Sequence, residues 1–376
     1  MENIEFRICN SVSRINRENW KMAFGNMPEG YEFYKSLEES NLAEFSFYYL
    51  LLYSAGRLNL IAPLFISDFN LDIAVLGWLK NAILAIRKLY PRFLIIKTLF
   101  VGSPFAEHGV IGLAEDIRKN PKVFDEFVNF LKVFSKEKKA GLTIFKDFPQ
   151  DKKEGLSALL KNGFFKVNSF PSAINELPFH SLEDYVQSLG PSTRKSLRRK
   201  LKSAYSQAKI EIKVLDEADS VIDDLYKLYL NTHSQGGTKF ERLTKEFFVS
   251  VSRNMQPYIK IFLYYVNGCL GAFNLCFVYK DLFIDKFIGF NYDISNRFHL
   301  YFVSWCYNID WCIKNSVHFY KTGQTDYSAK IKLGGRLLPL YAYFKHGNRG
   351  VNILLKFLSL VLKPDNFDVK IKESQP

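Results

Sequence analysis

Three strand-like runs follow one another in the second half of the sequence, with only turn residues between them. They read PYIKIFLYYVNG, CLGAFNLCFVYK and DLFIDKFIGF, and the turns fall at Asn267-Gly268 and Lys280-Asp281. Runs rich in β-branched and aromatic residues, separated by tight turns, predict an antiparallel meander. The meander constrains the fold most, because helices or a second sheet must cover its apolar face.

Helical and strand-like segments surround this meander in a regular order. Helical patterns at residues 217 to 232 and 242 to 254 precede it. A helix at about 298 to 314, the strand HFYKTG, a short helix, the strand RLLPLYAYFKH and an apolar helix near 351 to 362 follow it. The alternation of helix and strand predicts an α/β arrangement.

The first half of the chain follows a similar plan. Two strands, at about 44 to 53 and 58 to 66, are joined by a tight turn at Ala55-Gly56. A helix at 74 to 89 is followed by the strand RFLIIKTLFVG, the helix FDEFVNFLKVFSKEKKA, the strand AGLTIFKDF and the helix KKEGLSALLKNG. No repeat is visible at the level of residues, so any duplication is architectural.

The length of the chain predicts two domains. A chain of 376 residues exceeds what one hydrophobic core usually serves, and 48% of its residues are apolar. We therefore predict domains at residues 1–180 and 181–376, of the α/β (α+β) class.

The charge and the cysteines limit the functional classes. A net charge of +13 favours an anionic partner, namely nucleic acid, a phosphorylated cofactor or an acidic membrane surface. The five cysteines contain no CxxC pair and are odd in number, so we expect no metal site and no disulfide framework. We expect a cytoplasmic protein, because free cysteines fit a reducing compartment and no targeting segment is visible.

One helical segment is strongly basic. PSTRKSLRRKLKSAYSQAK, residues 191 to 209, has no acidic residue and seven basic ones: Arg194, Lys195, Arg198, Arg199, Lys200, Lys202 and Lys209. Pro191 and Ser192 suit a helix start, and the apolar residues fall on one face. The cationic face is either a solvated surface or a contact surface for phosphates.

A strand-to-helix join follows the meander. The last strand ends near Phe290, polar residues 291 to 297 form a loop, and a helix begins near Arg297 to Leu300 with Asn296 as its N-cap. Such a join directs backbone N–H groups at one point and suits an anion such as a pyrophosphate.

An ordered set of residues after the meander carries a family resemblance. The set is Tyr292-Asp293-Ile294-Ser295, a helix, Asn315, a strand, Gly323-Gln324-Thr325, Tyr327, Lys330, Leu333-Gly334, Pro339 and Tyr341. It resembles the C-terminal half of acyltransferases of the GNAT superfamily. It is most similar to the tandem-domain group that includes the Fem-type peptidoglycan aminoacyl transferases and the BioF-associated, Fem-like acetyltransferases. The resemblance covers about residues 181 to 346.

The resemblance implies two tandem GNAT-like domains, with mixed, largely antiparallel sheets flanked by helices. It implies that the second domain binds an acyl-CoA, with the pantetheine beside DLFIDKFIGF. The pyrophosphate would meet the backbone N–H groups of Asn296, Arg297, Phe298 and His299. The glycine-rich pyrophosphate loop usual in the superfamily is absent from this sequence.

Three residues are candidates for acid–base catalysis. Asp285 lies between Phe283 and Phe287 on a largely apolar strand face, where its carboxylate would serve as a base or form a structural ion pair. His233, expected in a polar loop after a helix, is a second candidate base or substrate contact. Tyr327 is the candidate acid, by its place in the family pattern.

Three further residues are candidate substrate contacts. Gln324 and Lys330 belong to the segment HFYKTGQTDYSAKIKLGG, and His108 belongs to the first-domain loop SPFAEHGVIG. We expect all three, together with Tyr327, to face the cleft between the two domains.

The leading functional hypothesis is an N-acyltransferase that moves an acyl group from acyl-CoA to a small-molecule amine or peptide-like acceptor between the two domains. One alternative is an aminoacyl-tRNA-dependent, Fem-like transferase acting on a cell-wall precursor, with the basic helix binding RNA phosphates. The absence of a long coiled-coil insertion counts against it. A second alternative is a non-catalytic basic module that binds nucleic acid or an acidic membrane, with the helix VNILLKFLSLVL on the membrane surface.

Overall fold

A computed structural model describes residues 4–72, 77–114, 121–150, 156–235, 242–324 and 326–361. They belong to two compact units, each built from separate stretches of chain. Unit 1 comprises Met1–Met27, Ala43–Pro171 and Pro339–Pro376, and unit 2 comprises Pro28–Leu42 and Ser172–Leu338. This division differs from the contiguous one that we predicted at residue 180, because residues 28–42 belong to unit 2 and residues 339–376 to unit 1.

The structure describes fifteen strands and thirteen α-helices, numbered along the chain. The strands are β1 (Ile4–Cys9), β2 (Ser46–Ser54), β3 (Arg57–Asn70), β4 (Ile95–Val101), β5 (Gly112–Leu113), β6 (Leu142–Pro149), β7 (Phe165–Asn168), β8 (Ser172–Glu176), β9 (Ile210–Leu215), β10 (Ile259–Val266), β11 (Cys269–Tyr279), β12 (Leu282–Phe290), β13 (Phe319–Lys321), β14 (Arg336–Leu338) and β15 (Leu340–His346). The helices are α1 (Arg17–Phe24), α2 (Tyr31–Glu38), α3 (Gly77–Leu89), α4 (Pro121–Glu137), α5 (Ser157–Lys161), α6 (Leu182–Ser188), α7 (Pro191–Gln207), α8 (Ile222–Gln235), α9 (Lys245–Asn254), α10 (Tyr292–Arg297), α11 (Leu300–Lys314), α12 (Tyr327–Lys332) and α13 (Arg349–Val361).

Each unit contains one mixed sheet with the same order of strands. The order is β1-β2-β3-β4-β6-β15-β7 in unit 1, with β5 beside β3, and β9-β10-β11-β12-β13-β8-β14 in unit 2. Among the described strands, the pairs β4–β6 and β12–β13 are parallel and the remaining pairs are antiparallel. The predicted fold class, two mixed and largely antiparallel sheets flanked by helices, is confirmed.

The two sheets exchange one strand each. Strand β8 follows β7 along the chain but pairs with β13 and β14 in unit 2. Strand β15 follows β14 but pairs with β6 and β7 in unit 1. The prediction of one strand for RLLPLYAYFKH is therefore wrong. The strand divides at Pro339, which has no backbone N–H to donate to a ladder.

Most predicted elements are confirmed, but the helices α1 and α2 and five strands were not predicted: β1, β5, β7, β8 and β9. The turn residues Ala55, Asn267 and Lys280 have φ of 51°, 50° and 52°, as tight hairpin turns require. The strands β1 and β9 were not predicted, although IEIKVL in β9 alternates between partly buried and exposed residues. None of the described helices is long and apolar enough to cross a bilayer.

Candidate active site

The parallel strands β12 and β13 separate partway along β12. Their pairing runs over Leu282–Phe319, Phe283–Tyr320 and Ile284–Lys321. Strand β13 ends at Lys321, whereas β12 continues to Phe290. Among the described strands, residues 285–290 of β12 therefore have no strand partner on this side, and we call this strand edge the β12–β13 gap. At its far end α8 contacts Phe290 through Asn231 and Thr232.

A β-bulge lies at the start of this gap. Leu275 of β11 pairs with Phe287 and Cys276 pairs with Asp285, so Lys286 is an extra residue on β12. A bulge bends the strand and changes the direction of its backbone groups. The Lys286 ammonium forms an ion pair of 2.6 Å with Glu29, and both side chains are almost fully buried. This ion pair holds the bulged residue to the segment that precedes α2.

Asp285 lies at the mouth of the gap, within a network of hydrogen bonds. The Asn274 side-chain amide donates to both carboxylate oxygens, at 2.8 and 2.9 Å. The Tyr320 hydroxyl donates to Oδ2 at 2.9 Å, and the Asn308 amide lies 3.4 Å from the same oxygen. Since β11, β13 and α11 supply these donors, the carboxylate is fixed from three sides.

The surroundings of Asp285 favour its neutral form more than water does. Burial raises the pKa of Asp285 above its ordinary value, although the hydrogen bonds from Asn274 and Tyr320 and the charge of Lys330 oppose the increase. A carboxylate with a raised pKa is a stronger base than an exposed one, which suits proton abstraction near neutral pH.

The other groups of the network are held in their neutral forms. Burial and the charge of Asp285 raise the pKa of the Tyr320 phenol and of the Cys276 thiol well above their usual ranges. The Cys276 thiol lies 3.8 Å from Asp285 Oδ1 and is not activated as a nucleophile. Tyr264 donates to the Asn308 side-chain oxygen at 2.8 Å, which orients the Asn308 amide.

A cluster of cations lies at the beginning of α11. Burial and the charges of Arg199 and Lys332 lower the pKa of Lys200, and its ammonium lies 3.4 Å from the centroid of the Phe302 ring. Burial and the charges of Lys200 and Arg199 lower the pKa of His299, the N-cap of α11. The first N–H groups of a helix have no acceptor within it and carry partial positive charge. The basic helix and the helix start therefore meet in one anion-attracting region, which we call the α11 cation cluster.

The helix α11 begins at Leu300, within the predicted range, but the predicted N-cap and the predicted loop at residues 291–297 were wrong. Asn296 and Arg297 belong to the short helix α10, and the Phe298 N–H donates to the Ile294 carbonyl at 3.0 Å. The N-cap of α11 is His299, with φ 53° and ψ 38°. Of the four residues predicted to offer backbone N–H groups to a pyrophosphate, only His299 adjoins the start of α11.

The predicted catalytic residues His233 and Tyr327 lie in helices. His233, expected in a loop, lies in the last turn of α8. The preceding Thr232 hydroxyl accepts from the Phe290 N–H at 3.0 Å, so this end of α8 contacts the end of β12. Tyr327 begins α12, is buried and donates its hydroxyl to the Gln324 carbonyl. The catalytic roles of both residues remain predictions.

The predicted substrate contacts occupy different environments. The Lys330 ammonium is buried and donates to the carbonyls of Thr322 and Gly323, so it holds the loop after β13 in place. Gln324 is partly buried in the same loop. His108 is partly buried in a loop of unit 1. A contact of these residues with substrate remains a prediction.

The residues that surround Asp285 in the structure were not predicted from the sequence as part of a site. Asn274 is the one polar side chain in the run GAFNLCF of β11, and it is fully buried. A lone polar residue in an apolar strand needs a buried partner, so this signal was available. Asn308 and Tyr320 carried no such signal, because their contact with Asp285 depends on the tertiary structure.

Among the described residues of unit 1, the corresponding strands show no β-bulge, and a loop of the chain lies where β4 and β6 separate. The strands β3 and β4 pair without a register shift, and β4 separates from β6 after Val101–Phe145. There the Gly109 N–H donates to the Asp147 carbonyl at 2.9 Å. A Cβ atom at Gly109 would lie 2.3 Å from the Lys146 carbonyl oxygen, which only glycine avoids. In unit 1 a loop of the chain thus lies beside β6 where the two parallel strands separate.

Comparison with solved structures identifies the fold. The structure of FemX is 10% identical, with 94% of this chain and 100% of that chain covered and a TM-score of 0.56. L-PGS from Bacillus licheniformis is 12% identical, with 89% and 97% covered and a TM-score of 0.51. A tandem GNAT protein from the clavulanic acid biosynthesis pathway is 9% identical, with 92% and 99% covered and a TM-score of 0.53. The fold is that of the tandem GNAT proteins.

The sequence defines the family more narrowly. A family model described as FemAB-like, peptidoglycan biosynthesis/recognition, matches residues 11–334. The chain belongs to the FemAB-like family and is an enzyme, a GNAT-fold transferase of the Fem-like type. A comparison with curated proteins gives no significant match.

Proposed function

We propose that unit 2 transfers an acyl group from an acyl-CoA to an amine. The observation that carries this proposal is the β12–β13 gap, with the Lys286 bulge and the hydrogen-bonded Asp285 at its mouth. A pantetheine arm is a thin, extended group that pairs with exposed strand edges. The α11 cation cluster would hold the phosphates of the donor.

The proposed step forms a C–N bond and breaks a C–S bond. The amine nitrogen attacks the thioester carbonyl carbon, and backbone N–H groups of β12 beside the gap would stabilise the negative charge that develops on oxygen. Asp285 accepts the proton that the amine loses. The thiolate of CoA leaves and takes up one proton, for which Tyr327 is the candidate donor. The products are an amide and free CoA.

An aminoacyl-tRNA donor is the second candidate. The family match and the likeness to FemX favour it. Exposed basic residues of α7 beyond the α11 cation cluster, such as Lys195 and Lys202, would extend the contact along an RNA backbone. In that reaction the amine would attack an ester and release a ribose hydroxyl, with Asp285 in the same role.

Isothermal titration calorimetry distinguishes the two donors. We expect acetyl-CoA to bind the full chain with a stoichiometry of one, because β12 has an unpaired strand edge at the gap of unit 2, whereas a loop lies beside β6 at the corresponding position in unit 1. Binding of bulk aminoacyl-tRNA without binding of acetyl-CoA would establish the second candidate instead. If neither ligand binds, both proposals fail. Two molecules of acetyl-CoA per chain would contradict the assignment to unit 2.

A further inference from the structure

The last described helix, α13 of unit 1, presents its apolar side away from the protein. Five large apolar side chains are between 43% and 65% exposed: Ile353, Leu354, Phe357, Leu358 and Leu360. The polar residues Asn352 and Ser359 are less exposed than these five. The Asn352 amide donates to the Gly163 carbonyl at 3.0 Å, and its side-chain oxygen accepts from the His346 N–H at 2.8 Å. The orientation of α13 is therefore fixed by polar contacts.

The exposed residues form a single stripe. At about 100° per residue, the five side chains span roughly 160° of the helix circumference. Lys356 and Arg349 lie at one edge of this stripe, and α13 contains no acidic residue. An amphipathic helix of this composition, held with its apolar stripe outward, is the form that peripheral proteins place in a membrane interface.

A second segment of unit 1 also combines exposed apolar side chains with basic residues. At the end of α3 and just after it, apolar side chains are between 37% and 80% exposed: Leu84, Ile86, Leu89, Tyr90 and Phe93. Lys88 and Arg92 are exposed among them, and residues 77–93 contain no acidic residue. The combination of apolar and basic residues is thus found twice on one compact unit.

We infer that the exposed stripe of α13 docks unit 1 onto an anionic lipid bilayer. The net charge of +13 and the basic residues beside the stripe complement an acidic lipid surface. A helix of 13 residues presents a strip of roughly 20 Å by 10 Å, well below the ~800 Å² per partner typical of a stable dimer. A bilayer requires no such area, since a few inserted side chains and nearby cations are enough for reversible binding.

Sedimentation with lipid vesicles tests this inference. The full chain should bind vesicles of phosphatidylglycerol mixed with phosphatidylcholine, and should bind phosphatidylcholine vesicles much more weakly. The double substitution Leu354→Glu with Phe357→Glu should reduce the partition coefficient more than tenfold, because it replaces inserted apolar side chains by charges. Both residues are exposed, so the melting temperature should stay within a few degrees of the wild type.

Val133→Glu is the matched control. Val133 is 67% exposed on α4 of the same unit and lies outside the stripe, so this variant should bind vesicles as the wild type does. Equal binding by the double variant and the wild type would overturn the inference, as would no binding by the wild type. A wild-type dimer that the double substitution converts to a monomer would also overturn it, because a second copy would then cover the stripe.

Discussion

Asp285 shows how its neighbours determine what one carboxylate does. In the sequence it is an acidic residue on an apolar strand, and an ion pair is the ordinary outcome for such a residue. In the structure, its hydrogen-bond donors are the amides of Asn274 and Asn308 and the phenol of Tyr320, which are all neutral. Neutral donors orient the carboxylate without neutralising it, so it keeps the capacity to take a proton.

Asp285→Asn tests the proposed base. The ionised fraction of Asp285 increases with pH through its raised pKa, so kcat/KM should increase over an interval above the ordinary Asp pKa of about 3.9. In the Asn variant we expect a loss of about 10²–10⁴ in rate and no acidic limb in the pH–rate profile. Asp281→Asn, in the exposed turn before β12, is the control. An acidic limb that survives in Asp285→Asn would exclude this role.

The same substitution should change the pH dependence of stability. Because the pKa of Asp285 is higher in the folded than in the unfolded state, the folded state binds more protons between the two values. The free energy of unfolding of the wild type should therefore fall as pH rises from about 4 through the folded pKa. Thermal melts at several pH values should show this loss of stability with rising pH in the wild type and not in Asp285→Asn. Identical pH profiles would contradict it.

Gly289 of β12 is required for close packing of α8 on the sheet. A Cβ atom there would lie 2.2 Å from the Phe273 ring and 2.7 Å from the Leu228 backbone carbon. We expect Gly289→Ala to lower the free energy of unfolding by about 1–3 kcal/mol, measured by denaturant titration. At Gly190 a Cβ atom meets nothing within 4 Å, so Gly190→Ala is the control. Equal stabilities of the two variants would show that α8 can move away.

At the scale of elements, the contact between α7 and α11 brings together a basic helix and a helix N-terminus that are far apart in the sequence. The basic segment was predicted as a helix with one apolar side, and Leu197 and Ala204 are indeed buried. Its position beside the start of α11 could not be predicted, because the two helices are separated by four strands. The α11 cation cluster results from this tertiary contact.

Charge reversal on α7 distinguishes the donors. Lys202 is exposed and lies about 200° around the helix from Lys200, so the two side chains point in nearly opposite directions. For an acyl-CoA donor, Lys200→Glu should raise the donor KM by about tenfold or more, and Lys202→Glu should leave it unchanged. For a tRNA donor, both variants should weaken binding and reduce its salt dependence. No effect of Lys200→Glu on either donor would remove the cluster from the site.

At the scale of the whole molecule, the exchange of β8 and β15 makes each sheet depend on the other half of the chain. Strand β15 lies between β6 and β7 in the sheet of unit 1, and β8 lies between β13 and β14 in that of unit 2. Each exchanged strand thus occupies an interior position of its sheet, where its loss breaks the ladder on both sides.

Fragments of the chain test this dependence. Residues 1–180 lack β15 and residues 181–376 lack β8, so we expect neither fragment alone to give a cooperative thermal transition by circular dichroism. Co-expression supplies every described strand and should yield a copurifying pair that melts cooperatively. A cooperative transition of either fragment alone would show that the exchanged strand is dispensable.

The sequence by itself determined the elements whose signals are local. Hairpin turns, helix periodicity and the meander depend on residues within about ten positions of one another, and these predictions are confirmed for β2, β3, β10, β11, β12, α7 and α11. The fold class followed from their order. The short strands β1 and β9 were missed because pairing, rather than propensity, stabilises an edge strand.

Only the tertiary structure decided the site and the partition of the chain. The β12–β13 gap exists because β13 ends before its parallel neighbour β12, and both strands pair with partners far away in the sequence. Asp285, Asn308 and Tyr320 become a network only when β12, α11 and β13 pack together. Sequence patterns report burial and local geometry, whereas a site depends on distances between residues far apart in the chain.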